Sequence, residues 1–597
     1  MCGIIGQIKQ GETINSQLFN AMRDSMLHRG PDGYGTVFFN NDCAAFGHRR
    51  LSIIDLSEKA KQPMYDVDNN ILLTFNGEIY NYKHIKNDLI ALGYKFNSTS
   101  DTEVLLNAYK AWGLEKLLER IKGMFAFAIW DNTKQKLFLA RDRFGIKPLY
   151  FYKDAKQICF ASELKALAID SSIEKKVNKN AIADYFIYSY IPSPNCIWEN
   201  FYKLEPATYM IFDYRKNTIS KKEYWKLSID NKKANSHEVQ EKTNQLIKNA
   251  VSQHLVSDVS VGLFLSGGYD SSTLLIHSKE LNYKPNTFSL GFKDSKRSEH
   301  EIAALIAKKM ETAHAELILN KKTNYLLALK NLGHFYDEPF AVSSMLPYYY
   351  ISELTSKTNK VALAGDGGDE VFAGYKWHAD IKKYFALKSF KGKLKTLFKG
   401  KKNELIEMYN KRMTSSYKKD SFSFLNSAIL KAIEKRNFWF YKKHYIHDKD
   451  VLKTTQYLDF KTFIPEVNLT RADRSSMANS LEVRVPFLDH ELYEYIFSLD
   501  STLYFKENRK KVLLENKLNK YLPKEVLEMP KYGFSFQFLN SIFDKSFEEM
   551  IMNGNLMKEG IINKNSDFSN TNHVTKFHLL MLELWFENYN TITKSDA

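Results

Sequence analysis

The strongest constraint on the fold is a change of pattern along the chain of 597 residues. From His237 onward, apolar runs that suit buried strands alternate with runs whose apolar residues recur at helical spacing, which is typical of a parallel, doubly wound α/β sheet. The pattern predicts strands at Val259–Leu265, Thr287–Phe292 and Lys360–Ala364, and helices at Ser271–Leu281 and Glu299–Met310. The remainder, from about residue 375 to the C-terminus, is mostly helical in pattern and is expected to wrap around that sheet.

A glycine- and serine-rich string joins the first of these strands to its helix, with the sequence Leu265-Ser266-Gly267-Gly268-Tyr269-Asp270-Ser271-Ser272. Glycines let the backbone approach an anion, and the hydroxyls and amides of Ser266, Ser271 and Ser272 at a helix N-terminus can bind phosphate oxygens. A carboxylate at Asp270 makes sense if it holds Mg²⁺ bound to the same phosphates, since the string lacks the Lys of the Walker sequence. The string predicts a nucleotide site; the alternative is an ordinary strand-to-helix turn.

A second glycine-rich loop follows the predicted strand that ends at Ala364. It reads Ala364-Gly365-Asp366-Gly367-Gly368-Asp369-Glu370 and crowds three acids among glycines, an arrangement that needs a cation or a proton. Strands of one parallel sheet deliver their C-terminal loops to the same crevice. We therefore expect this loop to face the first one, rather than to be a surface turn.

The first two hundred residues follow a different pattern. Short β-prone runs separated by Gly, Asn and Asp turns are interrupted by two helical stretches, Ser16–Leu27 and Asp101–Trp112, where Asp101 suits a helix N-terminus. The β-prone runs include Ile71–Phe75, Met124–Trp130 and Lys136–Ala140. A hairpin-like stretch at residues 208–225 leads into a polar linker at 228–237, so this part is predicted to be a separate α+β domain.

Cys2 is placed where removal of Met1 would make it the terminal residue. It would then carry a nucleophilic sulfur and a free α-amine that titrates near neutrality and can take the thiol's proton. The alternative is a second-position Cys without a role; a lipid anchor is not indicated, because no charged-then-apolar leader precedes it. Cys2, Cys43, Cys159 and Cys196 show neither zinc-site pairing nor the density of a disulfide scaffold.

Composition limits the function classes further. With 44% hydrophobic and 26% charged residues, the sequence predicts a soluble protein of two large domains, and we expect no membrane partner and a cytoplasmic location. The net charge of +16 is uneven, since residues 376–403 hold ten Lys and one acid. We interpret this Lys-rich segment as an amphipathic helix with a solvated face, which makes nucleic acid an unlikely partner; an RNA or membrane patch is the alternative.

Several motifs in order along the chain carry a family resemblance. In the first half they are Cys2-Gly3-Ile4, His28 to Gly33, Arg50 to Ile53, Phe75 to Asn81 and Ser100 to Glu103; in the second they are the two loops, Arg471 to Met477, Glu482 to Asp489 and Lys531 to Phe534. With them the chain resembles glutamine-dependent asparagine synthetase over nearly its whole length. The resemblance implies a class II glutaminase domain at 1–225, an Ntn-hydrolase-type sandwich of antiparallel sheets. It also implies an ATP-pyrophosphatase synthetase domain at 226–597, an α/β doubly wound parallel sheet with many helices.

The resemblance assigns roles to residues of the first domain. Cys2 would be the nucleophile that attacks the glutamine side-chain amide, and its sulfur would then hold a glutamyl thioester. The Asn76 side-chain amide and the Gly77 N–H would form the oxyanion hole. In the glutamine site, Arg50 would bind the α-carboxylate, while Glu78 and Asp101 would receive the α-ammonium group.

The same resemblance assigns the synthetase site. Asp270 and Asp369 would bind Mg²⁺, Asp366 would order the acceptor or take a proton from ammonia, and Lys531 would stabilise charge on the transferring phosphoryl group. Taken singly, Lys531 and Arg484 are more typical of surface or ion-pair residues. The residues implied in ATP binding, with Leu265 and Leu290 beside the adenine, are Leu265, Ser266, Gly267, Gly268, Asp270, Ser271, Ser272, Leu290, Ala364 and Gly365.

The implied enzyme is an ATP-dependent amidoligase with ATP and Mg²⁺ as cofactors. Ammonia from glutamine would pass through an internal apolar channel to β-aspartyl-AMP, giving asparagine, glutamate, AMP and pyrophosphate. Two alternatives stay open: the same chemistry on a sugar acid, because the segment Tyr336 to Ser344 lacks an Arg found in one branch of the family, and an RNA-binding or RNA-modifying ATP-pyrophosphatase. A homodimer is a candidate assembly. Tyr269 is larger than the aliphatic residue common at its position.

Overall fold

The computed structural model describes most of the chain, in two halves that pack on each other. The described residues are 2–68, 70–293, 299–320, 323–391, 398–413, 422–507, 509, 511–528, 542–543, 545–564, 566, 568 and 571–594. Lys531 lies outside them, and so does the motif that contains it. Among the described helices, none is both long enough and apolar enough to cross a membrane.

The N-terminal half contains two antiparallel sheets. One has the strand order β10-β8-β9-β1-β3-β2 and the other β12-β11-β7-β6-β5-β4. The strands are β1 Gly3–Lys9, β2 Gly33–Phe39, β3 Ala44–Arg50, β4 Met64–Tyr65, β5 Ile71–Ile79, β6 Gly123–Asp131, β7 Lys136–Arg141, β8 Tyr150–Lys153, β9 Gln157–Ala161, β10 Phe201–Lys203, β11 Thr208–Asp213 and β12 Thr218–Glu223.

Apolar side chains from both sheets meet in one buried layer. Ile4, Phe46 and Phe160 from the first sheet share a cluster with Leu72 and Trp130 from the second, and all are at most 2% exposed. Each large apolar side chain buried in this way stabilises the fold by about 1.5–3 kcal/mol. The predicted sandwich of antiparallel sheets is therefore confirmed.

Five helices accompany the two sheets in the described part of this half. They are α1 Ser16–Asp24, α2 Tyr82–Ala91, α3 Asp101–Arg120, α4 Leu164–Ala168 and α5 Lys179–Tyr188. The first ends three residues earlier than predicted, and a short 3₁₀ turn at Leu27–Arg29 follows. The third runs past its predicted end at Trp112, because Gly113 adopts a positive φ of 73° that links two helical pieces across a kink.

The C-terminal half is built on a parallel sheet with the strand order β15-β14-β13-β16-β17. Its strands are β13 Val261–Phe264, β14 Thr287–Phe292, β15 His314–Leu319, β16 Val361–Leu363 and β17 Glu482–Arg484. Every neighbouring pair in this sheet is parallel. The predicted doubly wound sheet is confirmed, and β15 and β17 are strands that the sequence patterns did not predict.

Helices make up most of the rest of this half. They are α6 Ser236–His254, α7 Tyr269–Glu280, α8 His300–Met310, α9 Tyr325–Phe335, α10 Met345–Ser356, α11 Gly368–Val371, α12 Lys376–Lys391, α13 Phe398–Met413, α14 Ser427–Arg436, α15 Trp439–His444, α16 Val451–Leu458, α17 Thr470–Met477, α18 His490–Ser498, α19 Val512–Tyr521, α20 Lys524–Glu528, α21 Lys545–Asn553, α22 Asn555–Lys558 and α23 His573–Lys594. A π-helical segment at Asp459–Leu469 joins α16 to α17. The Lys-rich segment falls on α12, the start of α13 and residues that are not described.

Strand order places the two glycine-rich loops side by side. Strands β13 and β16 are direct neighbours, and Leu263 is in register with Leu363. Because both strands run in the same direction, the loops that follow them leave the sheet at the same edge. The expected juxtaposition of the two loops is therefore present.

Candidate functional site

A cavity in the N-terminal half brings together residues from distant parts of its sequence. Cys2 directly precedes β1, Arg50 ends β3, Gly77 and Glu78 belong to β5, and Asp101 is the first residue of α3. All five line this cavity. Five of the residues predicted to bind and attack glutamine thus line one pocket, although their individual roles stay predictions.

Asn76 orients the start of the chain at this cavity. The main-chain N–H of Cys2 donates to Asn76 Oδ1 at 2.9 Å, and the thiol lies 4.0 Å from the Leu51 carbonyl oxygen. With Oδ1 used in this way, the buried Nδ2 of Asn76 has no hydrogen-bond partner among the described residues. A buried donor without a partner is costly unless a bound group satisfies it, as an oxyanion beside Cys2 would.

Gly77 allows two strands to approach closely in the cavity that Cys2 lines. Its φ is +150°, and a Cβ atom there would lie 2.0 Å from the Met124 carbonyl oxygen on the neighbouring strand β6. An L-residue with a side chain would have to push the strands apart. Glycine at this position follows from packing, whether or not its N–H contributes to an oxyanion hole.

Charges around the cavity are arranged in two groups. Arg50 donates through Nη1 to the Ser57 carbonyl oxygen at 2.8 Å and through Nη2 to the Asp55 carbonyl oxygen, so main-chain oxygens hold its guanidinium in place. Glu78 and Asp101 supply the carboxylates. The arrangement suits an α-amino acid, because a fixed guanidinium can bind its carboxylate while the two acids receive its ammonium group.

Burial shifts the ionisation of these groups. It raises the pKa of the Cys2 thiol, which the positive charge at the N-terminus lowers in turn. It also raises the pKa of Glu78 well above its usual range, with Glu482 and Asp101 adding to the effect. The pKa of Asp101 is raised to about 7, mainly by burial, while the Ile79 N–H bond opposes the shift.

We expect glutamine to bind more tightly as the pH rises from about 6 to about 8. The Asp101 carboxyl has a pKa of about 7, so at lower pH it is mostly protonated and carries no negative charge. Protonated Asp101 cannot pair with an ammonium group, so the KM for glutamine should fall as the carboxyl ionises, by up to about tenfold per pH unit below its pKa. The measurement is glutaminase KM against pH. Asp101→Asn should raise KM and flatten the profile; a KM that rises with pH would contradict the assignment.

The first glycine-rich loop forms an open helix N-terminus in the C-terminal half. Helix α7 begins at Tyr269 with Gly268 as its N-cap, and the Gly268 N–H donates to Ser266 Oγ at 3.3 Å. Ser271 Oγ accepts the Ser266 N–H at 3.2 Å, while the buried Ser272 Oγ has no partner among the described residues. Hydroxyls and amides gathered at a helix start are suited to phosphate oxygens.

Other residues predicted for ATP lie close to this loop. Leu265 directly follows β13 and Leu290 lies in the second half of β14; they are 1% and 7% exposed, and such apolar side chains can flank a base. Gly365 packs so closely that an added Cβ would lie 2.9 Å from the Asp270 Cβ. The ring of Tyr269 is accommodated by leaning towards α20, where its hydroxyl donates to the Leu527 carbonyl oxygen at 3.2 Å.

A lysine occupies the space between the two predicted metal ligands. Lys511 Nζ donates to both carboxylate oxygens of Asp270 and lies 2.7 Å from Asp369 Oδ1. Within the described chain, no group of three or more His, Cys, Asp or Glu side chains is arranged to hold a metal ion. The two carboxylates nevertheless converge on one cation, so their chemistry fits a divalent ion with phosphate oxygens completing its shell.

Lys511 is a candidate site residue that the sequence patterns did not reveal. It precedes α19 in a left-handed conformation with φ 40°, and its ammonium group reaches residues more than 140 positions away in the chain. No local motif marks it. Lys531, which was predicted to stabilise the phosphoryl group, lies outside the described residues and stays a prediction.

Asp366 belongs to the second glycine-rich loop, and its role towards the acceptor stays a prediction. It accepts a bond from Arg471 Nη2 and another from the Tyr348 hydroxyl at 3.1 Å. Arg471 Nη1 also donates to Ser344 Oγ at 3.0 Å, which ties helix α17 to the segment that follows α9. Asp366 is therefore an ion-paired carboxylate in the second glycine-rich loop, and Arg471 is a guanidinium that the predicted site did not include.

Buried ion pairs join the two halves next to the Cys2 main chain. Arg29 donates to Glu163 Oε1 and to both carboxylate oxygens of Asp473, each at 2.9 Å, and its Nε lies 3.2 Å from the Cys2 carbonyl oxygen. Arg474 pairs with Glu163 at 2.9 Å and with Asp337 at 3.1 Å. We call these five residues the interface cluster. It fixes the start of the chain to helix α17.

Comparison with known proteins identifies the family that combines these two halves. A glutamine amidotransferase domain model matches residues 1–225, and an asparagine synthase model matches residues 242–585. Glutamine-hydrolysing asparagine synthetases 1, 3 and 2 of Bacillus subtilis are 32%, 30% and 28% identical to the chain. These matches cover 89%, 89% and 90% of this chain and 87%, 86% and 72% of the relatives. The predicted resemblance is confirmed: the chain belongs to the asparagine synthase family of glutamine-hydrolysing, ATP-dependent amidotransferases.

Proposed function

We propose that the protein makes asparagine from aspartate, with glutamine as the nitrogen donor and ATP cleaved to AMP and pyrophosphate. The proposal assigns glutamine hydrolysis to residues 1–225 and aspartate activation to residues 226–597. One observation carries it: a single chain holds both the cavity with Cys2, Arg50, Glu78 and Asp101 and the paired glycine-rich loops. Its three substrates are cytoplasmic metabolites, which supports a cytoplasmic location.

In the glutaminase half, the Cys2 sulfur attacks the side-chain amide carbon of glutamine. The α-amine freed by loss of Met1 takes the thiol proton and delivers it to the departing nitrogen, so ammonia leaves and a thioester forms. Asn76 Nδ2 donates to the negative oxygen that develops during the attack. Water then releases glutamate and regenerates the thiol.

In the synthetase half, the aspartate side-chain carboxylate attacks the α-phosphorus of ATP and pyrophosphate leaves. Asp270 and Asp369 would hold Mg²⁺, which supplies positive charge to the phosphate oxygens. The helix α7 N-terminus and the hydroxyls of Ser266 and Ser272 bind the same oxygens. Ammonia then attacks the acyl carbon of β-aspartyl-AMP, AMP departs, and Asp366 accepts the proton that the new amide loses.

Ammonia must cross between the sites without entering bulk water, where it would become ammonium and lose its lone pair. The halves meet through buried groups, among them Arg29 and Asp473, which are 0% and 5% exposed. That closure supports an internal transfer. Whether the route is lined by apolar side chains stays a prediction.

Acceptor identity is tested by pyrophosphate release with ammonia as the nitrogen source. We expect aspartate to stimulate release strongly and a uronic acid to leave it near the background rate, because the Asp366–Arg471 pair beside the loops can position a compact amino acid. The product should be AMP, not ADP. If galacturonate stimulates pyrophosphate release and aspartate does not, the acceptor is a sugar acid and not aspartate.

A further inference from the structure

Arg484 lies between the two candidate sites and contacts both. Its side chain is fully buried, and Nη2 lies 3.6 Å from Glu78 Oε1 in the cavity that Cys2 lines. Its main chain belongs to β17, which pairs with β16, and its carbonyl oxygen accepts the Ala364 N–H at 2.9 Å. Ala364 is the first residue of the second glycine-rich loop. One residue thus spans the distance between the glutamine cavity and the nucleotide loops.

The C-terminal half holds the Arg484 guanidinium at three positions. Its Nε donates to Glu482 Oε1 at 2.7 Å, and Nη1 donates to the carbonyl oxygens of His254 and Val256 at 2.8 and 2.6 Å. The remaining nitrogen, Nη2, and the facing Glu78 Oε2 have no hydrogen-bond partner within the described part of the chain. The Arg484 guanidinium is therefore hydrogen-bonded within the C-terminal half, and its Nη2 faces the Glu78 carboxylate of the N-terminal half.

This geometry makes the charge of Glu78 sensitive to small movements of β17. Burial and the neighbouring carboxylates of Glu482 and Asp101 disfavour the ionised form of Glu78, whereas Arg484 favours it. At a separation of 3.6 Å in a buried environment, the attraction changes steeply with distance. If the second glycine-rich loop rearranges, β17 can shift with it and change the distance from Arg484 to Glu78. The charge of Glu78, which is predicted to bind the glutamine ammonium group, would then change.

We propose that Arg484 is a positioning residue that makes glutamine affinity depend on the state of the nucleotide loops. Nucleotide bound at the loop that begins at Ala364 holds β17 in place, and β17 holds the Arg484 guanidinium against Glu78. Glutamine is then bound firmly only when ATP is in place. The inference rests on the proposed function, and linkage requires glutamine to tighten nucleotide binding by the same factor.

Calorimetry on Cys2→Ala protein tests the coupling, because glutamine then binds without being hydrolysed. The probes are glutamine and α,β-methylene-ATP, which cannot be cleaved between its α and β phosphates. We expect the analogue with Mg²⁺ to tighten glutamine binding by about 5- to 150-fold, the usual range of coupling between sites. Arg484→Lys, which keeps the charge but cannot make the same set of bonds, should reduce that factor to below about twofold.

Two further variants separate coupling from general damage to the interface. Lys122→Met removes another ion pair between the halves, with Glu491 at 2.7 Å, and should leave the coupling factor unchanged. Glu482→Gln keeps Arg484 in place while removing a competing carboxylate, so glutamine should bind more tightly even without nucleotide. Weaker or unchanged binding in Glu482→Gln, or an equal coupling factor in Arg484→Lys and its parent, would overturn the inference.

Failure of the inference is distinguishable from failure of the proposed function. Wild-type protein that neither releases glutamate from glutamine nor pyrophosphate from ATP would remove the proposed function and the inference with it. Wild-type protein that does both, but binds glutamine equally well with and without the analogue, would remove the inference alone.

Discussion

Replacing Cys2 with alanine is expected to abolish glutamine use while leaving ammonia use intact. Without the sulfur no thioester can form, so glutaminase and glutamine-dependent asparagine synthesis should fall by at least about 10³-fold. The paired loops of the C-terminal half lie outside the Cys2 cavity, so synthesis from ammonium salts should stay within about twofold of wild type. Both rates are measured by AMP formation, with glutamine and then ammonia as donor.

Cys43→Ala is the matched control, since this thiol is only partly buried and contacts the Asn41 carbonyl oxygen at 3.7 Å, away from the cavity. It should leave both activities unchanged. Equal loss of both activities in Cys2→Ala would contradict separate sites. Mass spectrometry that found Met1 retained in active protein would contradict the role of the terminal amine.

The opposite pattern is expected for Asp270→Asn. The amide keeps the shape of the side chain but removes the charge that converges with Asp369 on one cation. AMP formation should therefore fall by about 10²- to 10³-fold with glutamine and with ammonia alike, since charge stabilisation at the phosphates is lost. Glutamine hydrolysis at Cys2 should persist when glutamine is saturating, because the Cys2 cavity itself is unchanged. The measurement is AMP and glutamate formation in parallel, together with the Mg²⁺ dependence of nucleotide binding.

Glu280→Gln provides the control for this variant. Glu280 lies at the other end of the same helix α7 and pairs with Lys517 at 2.5 Å, so it also loses a carboxylate–lysine contact. We expect its AMP formation to stay within about twofold of wild type, because the pair is partly exposed and remote from the loops. Retained AMP formation in Asp270→Asn would remove this residue from the metal site.

The spacing of apolar residues and the positions of turn residues predicted the fold well, because they depend directly on which residues are buried and where the chain turns. Thr287–Phe292 was predicted as a strand and has the same bounds in the structure, and Lys136–Ala140 differs by one residue at its end. Alternating strands and helices imply parallel pairing, which in turn places both glycine-rich loops at one sheet edge. Helix ends were less predictable, since Gly113 resembles a terminator yet joins two helical pieces.

Contacts between distant segments could not be predicted from such patterns. Lys511 and Asp270 are 241 residues apart, and Arg29 and Asp473 are 444 residues apart. No periodicity or turn signal links residues over such separations, because their proximity results from how whole domains pack. Arg484 is an example. The sequence indicated that it could form an ion pair, but its complete burial and its position between the two candidate sites depend on how both halves pack.

The interface cluster has a consequence for how the protein can evolve and be engineered. Arg29 and Glu163 come from one half and Asp473 and Arg474 from the other, and removing one member of such a buried set costs about 3–5 kcal/mol. A chimera that joins this front half to the rear half of a relative should therefore assemble only if the donor carries matching charges at both positions. When genes of the family recombine, the two halves of one protein are thus expected to be inherited together.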